Sequence, residues 1–229
     1  MLDERLSCIA AMIPFCRGIA DVGTDHGLLI CHLVETGRSQ WGVATDIHRA
    51  PLEKARKEIS YRGLEKKISC LLTDGLEGLS PTHLDGVVIA GMGGETITHI
   101  MAKWPYTKSS GITWLLQPMT KAHRLRAWLW QNGFDLCQEK CCQAAGRVYS
   151  VMKATWTGCD YQPTLIELYL GQIDPLATPE NMAYCQDLLK RTARQAQGVA
   201  AACSKKSSGA EAQQLWEALQ VALGEKGAI

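Results

Sequence analysis

Up to about residue 158, short apolar runs alternate with amphipathic stretches of helical period, and few folds accommodate that rhythm. Residues 3–13 place Leu6, Ile9, Ala10 and Ile13 on one helical face. Apolar runs at 18–23, 41–47, 68–75, 84–94 and 113–118 are long enough for buried strands. Between them, 26–37, 48–63, 95–104 and 121–133 predict helices. Pro51 falls in a first turn, and Gly37 and Gly63 act as stops. Residues 134–156 then predict two strands in succession, turning near Ala145-Gly146.

Strands alternating with helices imply a parallel sheet covered on both faces. A closing hairpin adds an antiparallel strand, which is the architecture of class I S-adenosylmethionine (SAM) methyltransferases. The predicted class is therefore α/β: a Rossmann-like, seven-stranded, mostly parallel sheet with its last strand antiparallel. The period changes near residue 180. Met182, Cys185, Leu189, Thr192, Ala196, Val199 and Cys203 recur at alternating spacings of three and four, as in a coiled-coil seam. A polar turn at 204–210 and a second apolar stripe (Ala212, Leu215, Leu219, Ala222, Leu223) predict a C-terminal helical hairpin. The boundaries expected are 1–158 for the catalytic domain and 159–229 for connector and hairpin. Residues 165–171 fit neither strand nor helix by pattern.

In such sheets ligands bind outside the carboxyl ends of the strands, where the strand order reverses, so the loop after each strand carries the chemistry. The first loop reads Asp21-Val22-Gly23-Thr24-Asp25-His26-Gly27. Gly23 permits close backbone approach to a ligand. A dinucleotide site would need further glycines at the positions of Asp25 and Leu28, and Asp25 would repel a pyrophosphate. Beside a sulfonium and an α-amino group the same acid is useful, which favours SAM over NAD. Asp25 also suits the cap of the following helix. Asp46, with Ile47 after it, ends the second strand and is placed to accept from ribose hydroxyls; Asp74-Gly75 follows the third and suits an adenine amine. The fourth strand ends in Ala90-Gly91-Met92-Gly93-Gly94, without the Asn/Asp-Pro-Pro-aromatic motif that activates an exocyclic amine. A ring nitrogen such as adenine N1 needs no such activation, and the glycines leave room for a base. His26 and Gln117 are further candidates for positioning it. Trp104, Trp114, Trp128 and Trp130 are candidates for base stacking, with core packing the stronger reading for Trp114.

Net charge is +1, but no acid occurs between Glu95 and Asp135 or between Asp187 and Glu211. Lys121, Arg124 and Arg126 in the first interval, and Lys190, Arg191, Arg194, Lys205 and Lys206 in the second, predict two basic faces for a polyanion. The 10 cysteines are spread along the chain with no C-x-x-C pair, which predicts reduced, core-filling thiols and no metal site. The first residues, MLDERLSC, carry early charge and no signal-peptide core, and no apolar run reaches membrane-span length. A cytoplasmic protein without membrane attachment is expected.

Taken together, IADVGTDHGLL, ATDI, TDGLE, VVIAGMGG and LLQPMTKAHRLRAWLW resemble the bacterial tRNA (adenine-22-N1)-methyltransferases, the TrmK family. The resemblance covers about residues 1–157, and the helical remainder matches in kind. It implies SAM as cofactor, tRNA as partner, and methyl transfer to N1 of adenine 22. It places SAM contacts at Asp21–Gly23, Asp25-His26, Asp46, Asp74-Gly75 and Gly91–Gly94, and a monomer is expected. Three alternatives stand beside it: a methyltransferase for another RNA position or a small molecule, a non-catalytic RNA-binding module, and an NAD oxidoreductase. Intact Asp21, Gly23, Asp46 and Asp74 count against the second, and the missing fingerprint glycines against the third.

Overall fold

The computed structural model describes residues 2–201, 206–225 and 227. Helix α1 (Glu4–Met12) precedes β1 (Cys16–Val22), α2 (Leu28–Glu35), β2 (Ser39–Asp46), α3 (Arg49–Tyr61) and β3 (Ile68–Leu72). The second half runs β4 (Gly86–Gly93), α4 (Gly94–Lys103), β5 (Thr113–Thr120), α5 (Ala122–Gln131), β6 (Phe134–Ala144) and β7 (Arg147–Trp156). Three helices follow: α6 (Leu165–Leu170), α7 (Pro179–Ala201) and α8 (Lys206–Glu225). The seven strands form one sheet in the order β3-β2-β1-β4-β5-β7-β6. Strands β1 to β5 pair in parallel, and β7 inserts antiparallel between β5 and β6. The turn into β7 passes through Ala145 and Gly146, both at positive φ, as the sequence signal required.

Side chains alternate across the sheet with period two. Val87, Ile89, Trp114 and Leu116 face a cluster with Ile97 and Met101 of α4 and Leu125 and Leu129 of α5. Ile19, Val88 and Leu115 face the opposite cluster with Ile9 and Met12 of α1 and Leu33 of α2. The strand order reverses between β1 and β4, so their carboxyl ends open a crevice there.

The hairpin reading needs adjustment. Besides Cys185, Thr192 and Ala196, helix α7 buries Tyr184 and Leu188, a wider stripe than a two-helix seam. Its apolar face meets α8 through Leu215, Leu219 and Leu223, and also Cys141 of β6 and Leu170 and Ile173 of the connector. Of the polar turn expected at 204–210, residues 206–210 belong to α8, and the rest lies outside the described residues. Residues 165–170, unassigned from sequence, form α6 through a capping box. Thr164 accepts from the Glu167 amide while Glu167 accepts from the Thr164 amide. Cys203 and Lys205 lie outside the described residues.

None of the nine described cysteines is in a disulfide, and five of them are buried. Burial pushes Cys16 up to about 11 and Cys31 to about 12, so both stay neutral core groups. Among the described residues no helix is long and apolar enough to cross a membrane.

Candidate active site

The crevice at the ends of β1 and β4 is a cleft of about 220 Å³. The end of β1 supplies Asp21 and the turn after it Gly23, Thr24, Asp25 and His26; β4 contributes Ala90, and α1 with its N-cap contributes Arg5 and Asp3. Asp21 is buried, accepts from Thr24 Oγ1 at 2.7 Å, and is faced by the Ile30 amide in the first turn of α2. Burial pushes its carboxyl up to about 6, against the opposing pull of Thr24 and Arg5.

Asp25 takes a left-handed conformation (φ 49°) with an exposed side chain. Its Oδ2 lies 2.7 Å from His26 Nδ1. The capping role expected for it is not realised. Helix α2 starts at Leu28, its N-cap is Gly27 at φ 71°, and no side chain caps it. An N-cap residue is only half inside its helix, so a left-handed Gly27 delays the first helical residue to position 28. Both Asp25 and His26 are thereby left on the cleft rim.

At the end of β2, Asp46 is buried, and its Oδ1 accepts the His48 amide at 2.8 Å. Ile47 beside it is exposed. Past β3, Asp74 accepts from Lys103 Nζ at 2.8 Å, which holds its carboxyl below the usual range. A bound ligand would compete with that exposed ion pair, which is a weak one. Val22 is buried in the core, so only its backbone is available.

The glycines after β4 divide by role. Gly91 holds a positive φ of 77°. Gly94 lies where a Cβ would meet the Lys121 carbonyl oxygen at 2.5 Å, so its smallness serves packing against the start of α5. Gly93 needs neither: a Cβ there would make only ordinary contact, 3.4 Å from Thr120 Oγ1. Met92 lies over Gly23, where a Cβ would come within 2.2 Å of its terminal methyl.

Gln117 is fully buried. Its Oε1 accepts from the Gly91 amide at 3.0 Å and from Arg5 Nη1 at 2.9 Å, and its Nε2 donates to the Pro118 carbonyl at 3.1 Å. It supports the Gly91 turn and is not free to touch a base, because its amide is committed to protein partners. Arg5 was not legible as a site residue. Only the docking of α1 brings residue 5 beside residue 117.

Arg126 is a correction. Its side chain is 0% exposed and its Nη2 meets Glu139 Oε1 at 2.7 Å. It therefore cannot serve RNA: the basic run of α5 alternates faces, and residue 126 points inward. Burial penalises the cation, yet Glu139 and the Tyr184 hydroxyl more than offset this and hold its pKa above the ordinary value. Lys121 and Arg124 are exposed, but both pair with Glu95, which the fold brings 26 and 29 positions back. Lys190, Arg191 and Arg194 are exposed on α7, Arg191 within an ion pair to Asp187 at 2.9 Å. Lys206 is described only as helix backbone. Trp104, Trp114 and Trp130 are buried, and Trp128 is half-buried against Phe134, so these rings build the core and are not base-stacking surfaces.

Asp21 and Asp25 with a glycine turn line the crevice, and Asp46 and Asp74 stand at the ends of the next two strands; carboxylates so placed suit a ligand with cationic and hydroxyl groups and repel one with phosphates. Residues 2–152 match the family model described as a methyltransferase domain, and the chain belongs to that family. It is 32% identical over 153 residues to the tRNA (adenine(22)-N(1))-methyltransferase of Bacillus subtilis, an alignment spanning 67% of this chain and 64% of that protein. The crystal structure of the B. subtilis M1A22 tRNA methyltransferase TrmK superposes with a TM-score of 0.84 at 24% identity, covering 99% of this chain and 98% of that one. A Streptococcus pneumoniae protein solved in complex with S-adenosyl-L-methionine gives 0.84 at 23% identity, covering 97% and 100%.

Proposed function

We propose that this protein is a SAM-dependent methyltransferase that modifies N1 of adenine 22 in tRNA, in the cytoplasm. The observation that carries the reading is the crevice itself: Asp21 and Asp25 line it at the β1–β4 reversal, and Asp46 and Asp74 stand at the carboxyl ends of the next two strands, in a chain related to a named tRNA adenine methyltransferase. The catalytic unit is 1–158, and 159–229 is the unit that meets tRNA.

When bound, SAM supplies an electrophilic methyl group on a sulfonium. In this reading the Asp46 carboxylate accepts from the ribose, Asp74 from the adenine amine, and Asp21 faces the α-ammonium. Gly93 leaves room for the incoming base, which must leave its stack so that N1 faces the methyl carbon. The chain's work is largely approach and orientation. Asp25, on the rim, is placed to stabilise the positive charge that develops on the methylated ring.

Incubation with radiolabelled SAM and unmethylated tRNA, followed by mass mapping of the modified nucleoside, tests the reading. Label at adenine 22 as N1-methyladenosine is expected; an unlabelled tRNA would overturn it.

Two further results are expected. Asp46→Ala should weaken SAM binding about ten-fold by calorimetry, the loss of one or two hydrogen bonds at ~0.5–1.5 kcal/mol each. Unchanged affinity would take Asp46 out of the site. The second concerns pH. Asp21 has a folded pKa raised from 3.8 to about 6, so the free protein binds more protons than the unfolded chain between those values. Its contribution to stability therefore falls as pH rises through that window and is constant above it. A cationic ligand prefers the ionised form, so SAM affinity should rise with pH up to about 6, by up to roughly ten-fold per unit, and then level. A flat profile from pH 5 to 7 would separate Asp21 from the ammonium.

A further inference from the structure

A small cleft of about 50 Å³ lies where four elements meet. The end of β5 contributes Thr120, the start of α5 Lys121 and Ala122, the start of β7 Ser150, and α7 contributes Arg191. It is far below the roughly 300 Å³ of a small-molecule site, so it suits one polar group projecting from a larger ligand. Ser150 is 2% exposed, lines the cleft, and its Oγ has no hydrogen-bond partner. A buried hydroxyl without a partner costs stability, and this residue borders the cleft. The second feature is the N-terminus of α5. Its N-cap, Lys121, sits in a left-handed conformation with no side-chain cap, so the first amides of the helix are uncapped and carry the positive end of its dipole. The third is Arg191. Its Nε pairs with Asp187 one turn away in an exposed contact, which is weak and readily exchanged. Charge nearby is mixed: Glu95 holds both Lys121 and Arg124, two cations to one carboxylate.

A hydroxyl donor, uncapped amides and a guanidinium around a space of this size are the donor set of a phosphate group. Thr120 is the register partner of Gly93, so the cleft is one strand from the turn where the base must enter. We propose that this cleft holds one backbone phosphate of the RNA beside the methylated nucleotide, through Ser150 Oγ, the first amides of α5 and Arg191. The assignment rests on the tRNA reading above. It also makes α7 part of the site, because Arg191 closes the cleft from the C-terminal helices.

The test measures tRNA affinity against salt for the full chain and for Ser150→Ala, Arg191→Gln and Arg194→Gln, with SAM affinity, thermal stability and methyl transfer alongside. Ser150→Ala should weaken tRNA binding roughly ten-fold, as loss of a hydrogen bond to a charged group does, while stability stays equal or rises because an unmade polar group is removed. Arg191→Gln should weaken binding and lower the slope of log K against log salt by about one, the mark of one lost phosphate contact. SAM affinity should be unchanged in both. If the parent protein methylates tRNA and Ser150→Ala binds it as tightly, the phosphate assignment is wrong and the tRNA reading stands. If Arg194→Gln matches Arg191→Gln while Ser150→Ala is silent, the effect is a diffuse field and the assignment again fails. Were the parent to transfer no methyl group to tRNA, the functional reading would fall and this one with it. Inorganic phosphate distinguishes the source. Micromolar protection of the parent against heat, lost in Ser150→Ala, would assign the cleft to the free anion and overturn the backbone role.

Discussion

Replacing Arg126 with methionine is expected to destabilise the protein by about 3–5 kcal/mol, because it leaves Glu139 buried without its counter-charge. For a chain of this size that lowers the melting temperature by on the order of 10 °C. The guanidinium does more than neutralise one carboxylate. Its Nη1 donates to the Leu168 and Tyr169 carbonyls at 3.0 and 2.8 Å, and its Nη2 reaches the Tyr184 hydroxyl at 3.4 Å. Glu139 in turn accepts the Gln172 amide at 2.9 Å. One ion pair thus ties α5 and β6 to α6 and α7. At Gly171 a Cβ would lie 1.9 Å from Glu139 Oε2, so the backbone there passes directly over the pair. A double variant, Arg126→Met with Glu139→Leu, should recover most of the loss, since a packed apolar pair of similar volume can replace a buried ion pair. Thermal and urea unfolding measure both. An Arg126→Met protein as stable as the parent but unable to bind tRNA would sink the structural role and restore the arginine to the RNA surface.

The second large effect is expected at Asp25. Asp25→Asn should lower the single-turnover rate at saturating SAM and tRNA by roughly a hundred- to a thousand-fold, the usual consequence of losing one preorganised electrostatic contact to a developing charge. SAM and tRNA affinities should change far less, because that charge exists mainly in the transition state. The substitution is unusually clean here. Asn tolerates the left-handed conformation at φ 49°, and α2 takes no cap from this side chain, so stability should hold. The neighbouring imidazole offers a second route, since His26 Nδ1 is 2.7 Å from the carboxylate. His26→Ala separates the two: a small effect there beside a large one at Asp25 assigns the charge effect to the carboxylate itself. A rate for Asp25→Asn within a few-fold of the parent would leave transfer to orientation alone.

The order and type of the first 12 elements were legible because strand and helix periods are local properties, visible within a dozen residues. The strand-end acids Asp21, Asp46 and Asp74 were legible for the same reason: once the strands are placed, so are their ends. Helix α6 was missed although its signal was present. Thr164-x-x-Glu167 is a capping box, but six residues are too few for a helical period to show.

Position in sequence did not decide which charged and polar side chains face water. Arg126 and Arg124 sit two residues apart in one basic run. One is sealed against Glu139 in β6, and the other lies exposed on Glu95 from α4. Gln117 reads as a candidate for touching substrate, yet α1 docks over it and claims its amide through Arg5. Ser150, unremarkable in a strand, acquires its interest only because β5, α5 and α7 meet around it. Local pattern determined the elements and the acids at their ends, since both follow from the period of the backbone. The tertiary structure alone decided burial and partnership. Desolvation and ion pairing depend on what lies within a few ångströms, and in this fold those neighbours are often dozens of residues away along the chain.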